Sequence, residues 1–206
     1  MPNPSQWQEM WTALGAAAAD EALRRDLIAR YSEPHRRYHT MQHLDECFGK
    51  LQALRGLAQK PAEIELALWF HDAIYDVKRQ DNEEKSAKWA QSTVIAAGLP
   101  APVGDRVYSL VMATRHNAEP TGIDEQVLVD VDLSILGADP ARFDEYERQV
   151  REEYSWVPGL VFRRERRKVL EEIIKRKTIY LSKQFIAAYE ARARANLQRS
   201  IRKLGG

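Results

Sequence analysis

Residues 67–76 read ALWFHDAIYD and place a histidine and an aspartate side by side within an apolar run. Ile64, Ala67, Leu68, His71, Ile74 and Tyr75 recur at i, i+3, i+4 and i+7, the spacing of one helix face. His71 then falls mid-stripe, and Asp72 lies about 100° further round, at the stripe's edge. An ionised carboxylate in such a place is costly unless something pairs with it. A divalent metal, an arginine or a capping backbone amide each meets that need.

Around this stretch the chain punctuates itself as helices. Ser5 is the expected cap of a helix over 5–14 carrying Trp7, Met10, Trp11 and Leu14. AAAAD at 16–20 favours helix by propensity, and Asp20 caps a second helix with Leu23, Leu27 and Tyr31 before Pro34 breaks the pattern. Thr40 caps a third helix with His43, Cys47, Phe48 and Leu51. Residues 52–63 read as a connection, with Pro61 near the start of the central helix. Asp81 or Asn82 opens a helix to Ala97, stopped by Gly98, Leu99 and Pro100. Another helix, with Val103, Val107, Leu110, Val111 and Thr114, ends near His116, and NAEPTGID is a loop.

Residues 125–137 alternate valines like a strand but also fit a helix, with Asp124 as cap and Gly137 as stop. No other segment offers a strand to pair with, so helix is the expectation. Asp139 and Pro140 start a helix with Phe143, Tyr146, Val150 and Tyr154. SWVPG is a loop. The basic helix FRRERRKVLEEIIKRK follows, and a last one starts at Ser182 with Phe185, Tyr189 and Leu197. The expected fold class is all-α: a single helical domain over 1–206, with a site-bearing core at about 31–137 and C-terminal helices over 139–204 packing on it.

Composition narrows the function classes. The formal net charge of +1 argues against a dedicated nucleic-acid binder, which carries a basic excess. A single cysteine, Cys47, excludes an intramolecular disulfide and agrees with a reducing compartment. With no apolar run of spanning length and no basic-then-apolar leader, the expectation is a cytoplasmic protein with no membrane partner.

Metal-type ligands accumulate in order: His43, then His71 with Asp72, then Asp130 or Asp132. Two imidazoles and two carboxylates suit one divalent ion of Mn, Fe, Co, Ni, Zn or Mg. Such an ion polarises a phosphoryl oxygen and generates hydroxide near neutral pH. The pattern H…HD…D on a helical chain resembles the HD superfamily of metal-dependent phosphohydrolases. The wording YHTMQHL, ALWFHDAIYD, DNEEKSA and VDVDLSILG is similar to a bacterial HD-type phosphohydrolase family, over roughly 31–197. The resemblance implies an all-helical fold, with His43, His71 and Asp72 as metal ligands and Asp72 essential to activity. Asp132 is implied as the fourth ligand, because Asp-Leu-Ser there resembles the distal metal aspartate of cyclic-nucleotide phosphodiesterases. Those enzymes share the YHxxxH wording at 38–43, which implies His39 as general acid to the leaving oxygen. The implied substrate is a small phosphorylated molecule, a nucleotide included; the resemblance does not imply cyclic-nucleotide specificity. A non-catalytic nucleotide or metal sensor of the same fold is the rival reading.

Other residues carry two readings each. His116 ends a helix, where the dipole favours imidazolium, and is also a candidate second-metal ligand or phosphate contact. Glu83 and Glu84 suit a helix start, and are also candidates for contacting substrate or metal-bound water; Asp76, one turn past Asp72, is similar. Arg167, in the basic run from Arg163 to Lys168, is a candidate phosphate contact on a helix that otherwise reads as a solvated face. Cys47 reads as a buried structural thiol and His35 as a surface residue. The Ala- and Arg-rich last helix packs on the core or forms a homodimer face.

Overall fold

A computed structural model describes residues 4–205. These form ten α-helices: α1 (Pro4–Leu14), α2 (Glu21–Tyr31), α3 (Met41–Leu54), α4 (Pro61–Phe70), α5 (Asn82–Ala96), α6 (Ala101–Ala113), α7 (Ile123–Asp132), α8 (Pro140–Glu153), α9 (Gly159–Lys175) and α10 (Lys183–Gly205). A 3-10 turn, Leu133–Gly137, joins α7 to α8, and the described residues contain no strand. The all-α expectation holds. None of these helices is long and apolar enough to cross a membrane.

The chain divides into two compact units, Met1–Val131 and Asp132–Gly206. In the first, α4 is the centre, packed against α1, α3, α5 and α6. Ile64, Leu66, Ala67, Leu68, Trp69 and Phe70 are all buried, so α4 is apolar all round rather than along one stripe. Burying each of the large side chains contributes roughly 1.5–3 kcal/mol. Edge-to-face contact of Trp69 with Trp7 at 5.1 Å ties α4 to α1, and Phe70 meets Trp89 of α5 at 5.3 Å. Glu63, buried in the first turn of α4, takes both prongs of Arg106 from α6 at 2.7 and 2.8 Å.

Several boundaries differ from the sequence expectation. The central helix does not run through Tyr75. It stops at Phe70, with His71 as its C-cap, and 71–74 form a turn. AAAAD at 16–20 is not helical either, because Gly15 adopts φ +91° and lets Ala16 N–H reach back to Trp11 O, closing α1. Ser5 does not cap α1, which opens one residue earlier on Pro4, whose fixed φ suits the first turn. α6 ends at Ala113, before His116. Asp124 lies inside α7, and its carboxylate accepts from Gln59 and Lys60 N–H at 2.7 and 3.1 Å, serving the start of α4 instead of its own helix. Capping by Asp20 and Thr40 occurs as expected.

In the second unit the 3-10 turn lies against α10. Buried Asn196 donates from Nδ2 to Leu136 O and Ala138 O, both at 2.9 Å, and Tyr180 Oη donates to Leu133 O at 3.2 Å. Arg194 donates to the carbonyls of Ile174, Arg176 and Lys177 and so closes the end of α9.

Candidate metal centre

Three segments of different local character bring the donors together. Thr40 caps α3 and sets His43 in its first turn, buried. The end of α4 presents His71, also buried, and Asp72 follows in the turn with 19% of its side chain exposed. Asp132 is the last residue of α7, a helix whose other residues belong to the first unit.

His71 Nδ1 lies 2.7 Å from Leu68 O. A carbonyl only accepts, so Nδ1 carries a proton and Nε2 is the nitrogen left to face the other donors. His43 Nε2 stands 3.0 Å from that atom. Asp72 Oδ2 stands 3.0 Å from His71 Nε2 and 3.5 Å from His43 Nε2. Ligand atoms about 2.1 Å from an ion stand roughly 3.0 Å apart at right angles and about 3.4 Å apart at the tetrahedral angle. The separations of 3.0, 3.0 and 3.5 Å lie at or close to that range. Three electron-rich atoms at such distances repel one another unless a proton or a cation sits among them, so the donor chemistry fits a divalent ion. An oxygen of Asp132, not of Asp130, completes a set with His43 and His71 in which all ligand atoms lie within 4.8 Å of one another. Asp130 is fully buried two residues earlier.

Burial pushes the Asp72 carboxyl upward, but the imidazoles of His71, His39 and His43 outweigh it and hold Asp72 well below the usual carboxylate range. Tyr31 Oη accepts from Asp72 N–H at 3.3 Å and donates to the carbonyls of α4's last turn. Burial, reinforced by the Asp72 charge, pushes this phenol well above its ordinary pKa and keeps it a neutral donor. Cys47 is buried one turn after His43, with Sγ 3.8 Å from both ring nitrogens and 4.0 Å from Val131 O, in keeping with a packing role.

His39 is half-buried beside the donors. Its ring centroid is 6.0 Å from that of His43 and 4.2 Å from that of Tyr75. The other sequence candidates are distributed more widely. Glu83 is half-buried in the first turn of α5 and its side chain makes no hydrogen bond or ion pair among the described residues, whereas its neighbour Glu84 pairs with Lys88. His116 follows α6 with φ +55° and is half-buried; it is not among the clustered ligand atoms. Arg167 is on α9 in the second unit and pairs with Glu171 at 2.7 Å. Asp76 is exposed and accepts from Lys78 N–H at 2.9 Å within its own turn. His35 is exposed and donates to Tyr75 O at 2.9 Å.

Two residues that hold the site are absent from the sequence candidates. Arg36 is buried and donates to the backbone around Asp72. Ser86, within DNEEKSA, is fully buried, and its Oγ accepts from Ile74 N–H at 3.0 Å, fixing the turn to α5. The sole hint of Ser86 was its place on the apolar side of α5, with Ala87 and Ala90.

Comparison of the chain with protein-family models, with curated proteins and with solved structures returned no match.

Proposed function

We propose that the chain is a metal-dependent phosphohydrolase that cleaves a phosphoester of a small molecule such as a nucleotide. The observation that carries this reading is the triangle of His43 Nε2, His71 Nε2 and Asp72 Oδ2, with separations of 3.0 to 3.5 Å. The sequence resemblance to HD phosphohydrolases points the same way, since it names the same residues.

His43, His71, Asp72 and Asp132 would hold the ion. When bound, it supplies a Lewis acid and lowers the pKa of coordinated water. The chain's own groups do the rest. Leu68 O keeps the His71 proton on Nδ1, so that its Nε2 stays available. Asp72, 3.0 Å from His71 Nε2 and 3.5 Å from His43 Nε2, brings a negative charge to the donor set. His39, close to the donors yet half-exposed, holds a proton for the leaving oxygen. An imidazole, which titrates near pH 6.5, gives up such a proton readily to an alkoxide.

The test is elemental analysis of purified protein together with a phosphate-release screen over phosphoesters and nucleotides, loaded with Mn²⁺, Co²⁺, Ni²⁺ or Mg²⁺. Near-stoichiometric metal with release from some phosphoester is the expected result. Metal with tight nucleotide binding and no release would favour a sensor instead. Absence of metal under every loading condition would overturn the reading.

A further inference from the structure

One buried guanidinium joins the segment carrying His39 to the turn carrying His71 and Asp72. Arg36 is 2% exposed. Its Nη1 donates to both His39 O at 3.2 Å and Asp72 O at 2.6 Å, and Nη2 donates to Ala73 O at 3.1 Å. Nε meets the Glu33 carboxylate at 3.0 Å, and the rings of Tyr31 and Tyr75 each lie 5.3 Å from Cζ. The need for it follows from the early end of α4. Past Phe70 no helical amides come round to meet the carbonyls of 72 and 73, and a buried carbonyl without a donor is costly. Arginine supplies several donors in a fixed plane, with a weakly hydrated charge that tolerates burial.

We propose that Arg36 is a positioning residue of the metal centre. Its planar fork fixes the His39 peptide against the His71–Asp72 turn, and so sets where the proton-holding imidazole stands relative to the ligands. This rests on the metal-centre reading given above. Lysine, with a compact ammonium on a flexible stem, cannot span the same three carbonyls.

The experiment compares wild type with Arg36→Lys. Circular dichroism establishes folding, chelator competition with Co²⁺ gives metal affinity, and histidine-ring ¹⁵N–¹H spectra of the metal-free proteins report on His39. The expected variant is folded, binds Co²⁺ about 10–100-fold more weakly, as loss of a group that orients ligands does, and shows displaced His39 ring signals. A folded variant with wild-type affinity and unmoved His39 signals would overturn the proposal. If Arg36→Lys does not fold, arginine spectra of the wild type decide: separate, slowly exchanging Nη signals support a fixed fork, and averaged ones overturn it. If the wild type binds no metal, the phosphohydrolase reading fails by itself. Displaced His39 signals would then still support the fastening of the two segments, and unmoved signals would overturn it.

Discussion

His71 Nδ1 stands 2.7 Å from Leu68 O, its own neighbour one turn back, and that contact assigns the tautomer of the ring. Nε2 is then the nitrogen that faces His43 and Asp72. Titration with diamagnetic Zn²⁺ should move the Nε2 resonance of His71 while the Nδ1–H signal persists. Histidine ¹⁵N NMR reads both atoms. Loss of the Nδ1 proton on adding zinc would contradict the assigned geometry.

Asp72→Asn keeps the shape of the side chain and removes its charge. Outer groups that merely orient ligands cost about 10–100-fold in affinity, so loss of a ligand charge should cost more than about 100-fold. Chelator competition measures this, with the helical circular dichroism unchanged as the control for folding. Retained affinity would remove Asp72 from the ligand set.

His39→Gln separates metal binding from proton donation. His39 neighbours His43 without belonging to the tight triangle of donors. The variant should hold metal within a few-fold of wild type and lose turnover by about 10²–10⁴-fold, the usual worth of a positioned acid. The readout is phosphate release on whichever substrate the screen finds. Unchanged turnover would refute the acid role.

Much of this fold could be read from local chemistry. Asp20, Thr40, Gly98 and Pro140 mark helix ends where the chain has them. The failures have a common cause in competition between local preference and tertiary demand. The alanines at 16–19 favour helix, but each contributes only a few tenths of a kcal/mol over ordinary residues, and the left-handed Gly15 ends α1 first. For 64–75 a one-sided apolar pattern suggested an amphipathic helix, yet α4 is buried on all sides and hands over to a turn held by groups from elsewhere. Those groups are Tyr31, Arg36 and Ser86. Arg36 and Arg37 are an arginine doublet by sequence, and only three-dimensional packing buries one and exposes the other. The clustering of His43, His71 and Asp132 was legible as a set of residue types, whereas the choice of Asp132 over Asp130 rested on resemblance and emerges in space from the end of α7.

Ser86→Ala tests the fastening of the turn to α5. The substitution leaves Ile74 N–H without its acceptor in a part-buried place. An amide stranded in this way costs about 1–3 kcal/mol. Urea denaturation should show a lower midpoint with an unchanged slope. A variant as stable as wild type would mean that water replaces Oγ without penalty.

Gly137→Ala should destabilise the second unit, for a reason that differs from the helix stop its sequence position suggests. A Cβ there would lie 2.7 Å from Tyr189 Cβ, 2.8 Å from Tyr180 Oη and 3.1 Å from Tyr189 O. Neither neighbour yields easily. Tyr180 Oη is engaged with Leu133 O, and Tyr189 Cβ and O move only with α10. That helix is strapped to the same turn by Arg192 Nε, which donates to Gly137 O at 2.5 Å, and by Asn196. Overpacking of this kind costs about 1–3 kcal/mol, which exceeds the 0.4–1 kcal/mol or so that losing a glycine's freedom in the unfolded chain returns. Gly49→Ala supplies the contrast. Gly49 lies inside α3, and a Cβ there meets nothing within 4 Å, so alanine should stabilise by roughly 0.5–1 kcal/mol. Urea unfolding of the two variants side by side distinguishes the effects. Opposite signs are expected, and a neutral Gly137→Ala would mean that the turn and α10 separate more freely than their hydrogen bonds imply.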